Sequence, residues 1–155
     1  MAQKILISHR GNFGGPNPDR ENTREYLQEA IDCGFDIECD IWYKDKSFWL
    51  GHDGPREKVD PYWLMNHQVW AHCKDIETLY QYSLFCGFQS KSNYPKYFFH
   101  QQDFCTLTSN KLIWTYPGQL LTSLSIAVKP EDVQGEWSNI DKCAGVCSDF
   151  IERYI

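Results

Sequence analysis

Three acidic residues alternate along one short apolar stretch of the chain. In FDIECDIWYKDKSFWLGHD, residues 35–53, Asp36, Glu38 and Asp40 occupy every second position. Side chains of a strand alternate between its two faces, so these three carboxylates share one face. A solvent-facing polar side is one explanation. The other is a cation, since crowded carboxylates are usually held by a basic side chain or a metal, and two carboxylates so spaced suit Mg²⁺ or Ca²⁺.

Other polar residues that follow apolar segments add to this chemistry. His9 and Arg10 follow KILIS, His52 ends FWLGH, and His72 and Lys74 end VWAHCK. An arginine and a lysine beside a cation suit a phosphate, and two histidines suit a general base and a general acid near neutral pH. Each residue alone could be an ordinary loop residue or salt-bridge partner. Together they are the parts needed to hydrolyse or cyclise a phosphodiester, and they predict a metal-assisted active site.

The elements that would position these side chains alternate between strand and helix patterns. Strands are predicted at 4–8, 36–41, 48–52, 69–74, 96–100, 111–116, 124–128 and 144–148. Helices are predicted from about Asn22, with Asn22 and Glu25 as a capping box, and over 60–67 and 75–88. Such alternation favours an α/β fold with a largely parallel sheet and an active site at the carboxyl ends of the strands.

The strand count and the chain length narrow the fold. Seven or eight strands with few full helices in 155 residues predict a reduced or distorted TIM-type (β/α) barrel that lacks several outer helices. An open doubly wound sheet is the alternative, although no GxGxxG or P-loop spacing supports a nucleotide-binding fold. The length suits one domain over residues 1–155.

Composition argues against several classes of partner. The net charge is −6 without a basic run, which disfavours nucleic acid and anionic membrane surfaces. No apolar run approaches the ~20 residues of a membrane span, and the amino terminus lacks a signal-peptide core. The seven cysteines are odd in number and form no CxxC, so we expect reduced, buried thiols in a cytoplasmic protein.

The motifs of this chain resemble, in order, those of the glycerophosphodiester phosphodiesterases. They are HRGN (9–12), ENT (21–23), the stretch 35–53, IWTY (113–116) and GVCSDF (145–150). The family pattern in the third motif is a Gly-x-Asp-x-x-Glu-x-Asp strand, a Lys-Asp turn and then His-Asp. The matching residues, with Glu38 one position early, are Gly34, Asp36, Glu38, Asp40, Lys44, Asp45, His52 and Asp53.

The resemblance implies a barrel related to phosphatidylinositol-specific phospholipases, with one bound Mg²⁺ or Ca²⁺ and Mn²⁺ as a further candidate. By motif match, the roles are an acid–base pair, His9 and His52; metal ligands, Glu38 and Asp40; and substrate contacts, Arg10, Lys74, Glu21 and Trp114. Asn22 would lie beside the site with Glu21. A family insertion that covers the pocket is lacking after Asp53, which implies a small substrate or an open pocket.

His72 departs from the family pattern, in which a metal-binding glutamate stands two residues before the lysine. Because His72 and Lys74 share a face of their strand, we expect His72 to ligate the cation or to hydrogen-bond a water on it. A core histidine bonded to a backbone carbonyl is the alternative. A nitrogen ligand would weaken Mg²⁺ and Ca²⁺ binding, whereas Mn²⁺ and Zn²⁺ tolerate nitrogen better.

The sequence therefore favours a metal-dependent phosphodiesterase that hydrolyses a small glycerophosphodiester-like molecule by His/His acid–base catalysis. Attack by water and initial cyclisation by a substrate hydroxyl both remain open. A second hypothesis is a catalytically weakened module of the same fold that binds a phosphate ligand. A lyase-type phospholipase acting at membranes is disfavoured by the acidic chain.

Overall fold

The computed structural model describes residues 3–89 and 95–155, the side chain of residue 89 excepted, and these residues form ten strands and three helices. The strands are β1 Ile5–His9, β2 Asp36–Lys44, β3 Ser47–Leu50, β4 Glu57–Val59, β5 Val69–Cys73, β6 Lys96–Phe99, β7 Cys105–Leu107, β8 Ile113–Thr115, β9 Ser125–Val128 and β10 Gly145–Ser148. The helices are α1 Arg24–Asp32, α2 Pro61–Leu64 and α3 Ile76–Gln89, with 3₁₀ turns at Pro130–Asp132 and Ile151–Tyr154.

All ten strands belong to one mixed sheet. Seven of them run parallel in the order β6-β5-β2-β1-β10-β9-β8, while β3 and β4 extend the carboxyl half of β2 as an antiparallel ribbon and β7 lies antiparallel beside β8. The parallel register places His9 opposite Glu38 and Asp40 opposite His72. Side chains from three consecutive parallel strands therefore meet on one face.

The predicted TIM-type barrel is wrong. Residues 3–89 and 95–155 form a ten-stranded mixed sheet with three short helices, and the described helices account for only 22% of the chain. A TIM barrel places a helix after each parallel strand. The segment 95–155 is described throughout and contains no α-helix, since its strands are joined by loops and a 3₁₀ turn. Strand count suggested a barrel, but the second half of the chain lacks the crossover helices that define that fold.

Helix α1 begins two residues later than predicted. Thr23, not Asn22, is the N-cap, and its Oγ1 accepts a hydrogen bond from the Tyr26 amide at 3.3 Å. Asn22 instead adopts a left-handed backbone with φ of 57° and turns its side chain toward β2. Its apolar residues, Tyr26, Leu27, Ala30 and Ile31, are buried, and Gly34 (φ 92°) follows the end of the helix. Helix α3 extends to Gln89, one residue beyond the predicted range.

The two faces of the sheet differ: one is apolar and packs against helices, and the other carries both aromatic and polar side chains. Cys39 of β2 and Ala71 of β5 pack into one core cluster with residues of α1 and α3. On the opposite face, Trp70, Phe98 and Trp114 form a second cluster with their neighbours on β1, β9 and β10. The Trp114 ring lies 4.5 Å from that of Phe98 and 5.8 Å from that of Trp70. This aromatic layer underlies the candidate site, because Glu38, Asp40 and His72 point to the same face.

The cysteines are only partly as expected from composition. Five of the seven cysteines are buried, whereas Cys33 and Cys105 are exposed, and none is in a disulfide. Among residues 3–89 and 95–155, no helix combines the length and the apolar character that crossing a membrane requires.

Candidate active site

Polar side chains occupy the carboxyl ends of the parallel strands. His9 is the last residue of β1, and Lys74, His100, Tyr116, Lys129 and Asp149 each directly follow a strand of the parallel set. Glu38 and Asp40 lie within β2, where the parallel pairing gives way to the β3 ribbon. Seven parallel strands thus deliver chemically active groups to one edge of the sheet, as open parallel sheets do at their ligand sites.

Asp36 stands apart from the other two acids of β2. Its Oδ2 accepts hydrogen bonds from Lys96 Nζ at 2.7 Å and from Trp70 Nε1 at 2.8 Å. The Lys96 ammonium also lies 4.6 Å from the centre of the Trp70 ring. Asp36 is therefore held by a basic side chain, and the question of a metal concerns only Glu38 and Asp40.

Asp40 is buried and surrounded by donors. Its Oδ1 lies 3.0 Å from His72 Nδ1 and 3.2 Å from Lys74 Nζ. Its Oδ2 accepts from Asn22 Nδ2 at 2.9 Å and lies 3.3 Å from Arg10 Nε. Burial opposes ionisation, but the hydrogen bond from His72 and the charges of the two basic side chains hold the pKa of Asp40 far below its ordinary range. Asp40 is a carboxylate at neutral pH.

Glu38 has the opposite environment. It is 2% exposed, and its Oε2 has no hydrogen-bond partner among the described residues. Its nearest basic atoms are His72 Nδ1, 3.7 Å from Oε1, and His9 Nε2, 3.9 Å from Oε2. Burial and the neighbouring Asp40 charge raise the pKa of Glu38. A buried carboxyl oxygen without a partner is the feature of this site that calls for a cation or a further donor.

Glu38, Asp40 and His72 fit a metal site. One ligand atom from each lies within 4.8 Å of the other two, and all three residues are buried. His72 can offer Nδ1 to a cation while Nε2 faces the His100 carbonyl oxygen at 3.5 Å, a backbone contact of the kind that fixes the tautomer of metal-binding histidines. A cation there would replace the present contacts of His72 and Lys74 with Asp40 Oδ1.

In both predicted catalytic histidines, the Nδ1 atom is hydrogen-bonded to a carboxylate. His9 Nδ1 donates to Asp149 Oδ1 at 2.7 Å, and His52 Nδ1 donates to Asp53 Oδ1 at 2.7 Å. This fixes each Nδ1 as the protonated nitrogen and leaves Nε2 available to a ligand. His9 is buried; although burial lowers its pKa, the hydrogen bond to Asp149 and the charge of Glu38 raise it overall. The His52 side chain is 43% exposed.

The loop after β1 adopts an uncommon backbone to place Arg10. Arg10 has φ of 56° and Asn22 has φ of 57°, both left-handed values that non-glycine residues seldom adopt. The Arg10 amide donates to Glu38 O at 3.0 Å, and the Asn22 amide donates to Arg10 O at 3.1 Å. Glu21 accepts from Asn12 Nδ2 at 2.8 Å and lies 3.4 Å from Arg10 Nη1, so it supports Arg10 rather than facing the metal ligands.

These side chains line one cavity of about 330 Å³. Its walls include three basic side chains (Arg10, Lys74 and Lys129), two carboxylates (Glu38 and Asp40) and four histidines (His9, His52, His72 and His100). The cavity therefore has a surplus of basic groups although the chain as a whole carries a net charge of −6. Such a cavity suits an anion that could also contact a cation held by the acids.

The predicted site residues come together, with different degrees of access. His9, His52, Arg10, Lys74, Glu38, Asp40 and His72 all line the cavity. Trp114 also reaches it but is 2% exposed and belongs mainly to the aromatic layer below, whereas Glu21 lines an adjoining space.

Several residues of the site were not assigned roles from the sequence. Asp149, which lies within the GVCSDF motif, orients His9 across 140 residues of chain. Asn12 donates to Asp149 at 2.9 Å, and Lys129 lies 3.8 Å from it. Tyr116 hydroxyl contacts His100 Nε2. The signal available in the sequence was position: Lys129 and Asp149 directly follow predicted strands, and Tyr116 is the last residue of one.

In comparisons with known proteins, no family model, curated protein or solved structure matches this chain.

Proposed function

We propose that this protein is a metal-dependent phosphodiesterase acting on a small phosphodiester. The observation that carries the proposal is the buried Oε2 of Glu38, which has no hydrogen-bond partner in the described part of the chain and lies 3.9 Å from His9 Nε2 in a cavity with surplus basic groups. An unpartnered carboxyl oxygen beside two imidazoles is unfavourable for stability alone, so it indicates a role in binding or chemistry. The motif resemblance to glycerophosphodiester phosphodiesterases supports the same class of reaction.

The chain's own groups have the roles that such a reaction requires. Arg10 and Lys74 bind the phosphate oxygens, and Lys129 adds a third positive charge on the cavity wall. One histidine Nε2 accepts the proton of the attacking hydroxyl as its oxygen bonds to phosphorus. The other histidine, present as the imidazolium, gives its Nε2 proton to the departing alcohol oxygen as the phosphorus–oxygen bond breaks. Asp149 and Asp53 each accept from Nδ1, which leaves Nε2 of both rings to exchange the proton.

Glu38, Asp40 and His72 would hold one divalent cation. When bound, the cation would polarise a phosphoryl oxygen and offset its negative charge. Mn²⁺ accepts the nitrogen ligand of the imidazole, and Mg²⁺ or Ca²⁺ could bind through the carboxylate oxygens.

The contacts of Asp40 favour a second candidate function. Asp40 already contacts Arg10, Lys74 and His72, so its charge is offset without any metal. A site with this internal compensation could bind a phosphate ligand without cleaving it. The second candidate is therefore a catalytically weakened phosphate-binding module.

An activity screen with matched variants tests the two candidates. Chelator-treated protein receives Mg²⁺, Ca²⁺ or Mn²⁺ separately, and release of alcohol from small phosphodiesters is measured. We expect metal-dependent turnover, with His9→Ala and His52→Ala each lowering kcat by on the order of 10²–10⁴. His67→Ala, at an exposed histidine that does not line the cavity, is the control and should retain full activity. Phosphate binding without turnover under any metal would support the binding module.

A further inference from the structure

A second cavity adjoins the first. It measures about 420 Å³, and four residues line both spaces: His9, Arg10, His52 and Lys129. The first space, the inner lobe, contains the metal-ligand trio and the aromatic side chains Trp114 and Tyr116. The second, the outer lobe, is also lined by Pro16, Pro18, Glu21, Asn22, Asp53, Arg56 and Asp149. The two lobes therefore meet at a wall made of the four shared residues.

The shared wall is where the phosphorus atom of a bound diester should lie. Both acid–base candidates, His9 and His52, and the phosphate ligand Arg10 belong to that wall. In a phosphoryl transfer the entering and leaving oxygens lie roughly in line on opposite sides of phosphorus. The leaving alcohol therefore occupies one lobe, and the attacking hydroxyl, of water or of the other alcohol, approaches from the opposite lobe.

The charges in the outer lobe are almost all paired. Asp149 is held by His9 and Asn12, Glu21 by Asn12 and Arg10, and Asp53 by His52. Lys129 lies 3.0 Å from Asp132.

Arg56 is different. Within residues 3–89 and 95–155, the arginines in ion pairs are Arg10 and Arg20, so no carboxylate lies within 4.0 Å of the exposed Arg56 guanidinium. The Arg56 amide donates to Leu50 O of β3 at 2.9 Å. Pro16 and Pro18, with their restricted backbones, form another part of the lobe wall.

We propose that the outer lobe selects a phosphodiester whose second alcohol carries a negatively charged group, a carboxylate or a phosphate, and that Arg56 binds this group. The assignment rests on the proposed function, because it places the diester phosphate between His9 and His52. A guanidinium can bind two oxygens of a carboxylate or phosphate at once. A hydroxyl or ammonium group on the substrate offers it no such pair of oxygens. A positively charged second alcohol would meet Arg56 and Lys129 and be disfavoured.

Binding of three small monoesters tests the assignment without requiring turnover. The probes are phosphoglycolate, ethyl phosphate and phosphoethanolamine, which share a phosphate and differ in the charge of the other end. By calorimetric titration we expect phosphoglycolate to bind about two- to fivefold tighter than ethyl phosphate, since an ion pair with an exposed side chain contributes on the order of 0.2–1 kcal/mol. Phosphoethanolamine should bind most weakly.

Two variants make the test specific. Arg56→Gln should abolish the preference for phosphoglycolate and leave the affinity for ethyl phosphate within about twofold, since the phosphate itself stays on the shared wall. Lys58→Gln, which removes the charge of an exposed β4 side chain two residues away and outside both lobes, should keep the preference. Equal binding of phosphoglycolate and ethyl phosphate, or a preference that survives Arg56→Gln, overturns the assignment.

The outcomes separate the two proposals. Diester turnover without a charge preference overturns the role of Arg56 and leaves the phosphodiesterase proposal standing. A charge preference that depends on Arg56, without turnover of any diester, overturns catalysis and supports the outer lobe as an anion site. If none of the three monoesters binds, the assignment of Arg56 fails, and the phosphodiesterase proposal fails with it only where no diester is turned over.

Discussion

Glu38 and Asp40 differ in surroundings although they lie two residues apart on one strand face. Asp40 is surrounded by Asn22, His72 and two basic side chains, whereas Glu38 retains an unpartnered buried oxygen. Alternation in the sequence predicts their common face but not this inequality, because the donors around Asp40 come from loops and strands elsewhere in the chain. The metal question therefore depends on Glu38 and on the residue beside both acids, His72.

Replacing His72 tests whether it holds a metal-ligand position. His72→Glu supplies a third carboxylate, so Mg²⁺ and Ca²⁺ should bind more tightly than in the unchanged protein, while His72→Ala should bind every metal no more tightly. Calorimetric titration of each metal into the chelator-treated variants measures both affinities. The metal-free His72→Glu protein should be less stable, since a third acid is then buried beside Glu38 and Asp40.

Two further variants keep this test interpretable. His72→Gln offers an oxygen ligand without charge, so it serves if the glutamate variant does not fold. His67→Glu adds the same carboxylate at an exposed histidine and should leave metal affinity unchanged. Folded His72→Glu and His72→Gln proteins with unaltered metal binding would assign His72 to the core, where its ring stacks on Phe98 and His100 at 4.9 and 4.4 Å.

At the scale of elements, the long buried strands were predictable and the short exposed ones were not. β1, β2, β5 and β10 carry clear alternation or apolar runs, and their carboxyl ends carry residues singled out from the sequence. β7 was not predicted, because its three residues, Cys105–Leu107, are largely exposed and have no apolar face. The barrel expectation failed for a related reason: strand patterns indicate parallel pairing but say nothing about whether helices join the strands.

Strand β8 illustrates how a motif residue can serve the core. Trp114 was predicted to contact substrate, yet it is 2% exposed and stacks on Phe98 above Trp70. We expect Trp114→Ala to lower the free energy of unfolding by about 3–5 kcal/mol, the usual cost of such a cavity, and Trp114→Phe to lower it less. Denaturant unfolding measures both, with Trp49→Ala, at a partly exposed tryptophan of β3, as a milder control. A loss of under about 1 kcal/mol for Trp114→Ala would contradict a core role.

At the scale of the whole molecule, the hydrogen bond between His9 at the end of β1 and Asp149 after β10 should make the free energy of unfolding depend on pH. Although burial opposes ionisation, hydrogen bonds from His9 and Asn12 and the charge of Lys129 hold the pKa of Asp149 below its ordinary value. A carboxyl whose pKa is lowered on folding stabilises the protein above its unfolded pKa of about 3.9, and this contribution is lost as pH falls through the folded pKa.

Asp149→Asn tests that contribution. The variant should be less stable at neutral pH and should lose less further stability between about pH 4 and 2 than the unchanged protein, because no carboxylate remains there to be protonated. Urea unfolding at several pH values gives the two slopes. Asp32→Asn, at an exposed carboxylate of α1, is the matched control and should preserve the original slope. Parallel pH curves for Asp149→Asn and the unchanged protein would show that this carboxyl does not couple to folding.

Cation binding should also stabilise the whole molecule, because the three ligands come from two strands that only the folded sheet brings together. At a metal concentration about 100 times the dissociation constant, binding adds about 2.7 kcal/mol, which raises the melting temperature of a protein of this size by several degrees. Thermal melts in EDTA and with added Mg²⁺, Ca²⁺ or Mn²⁺ measure the shift. Glu38→Gln should abolish it, whereas Glu77→Gln, at an exposed carboxylate on α3, should preserve it. No shift with any of the three cations would leave the buried oxygen of Glu38 without a metal partner, and stabilisation by inorganic phosphate alone would then favour the phosphate-binding module.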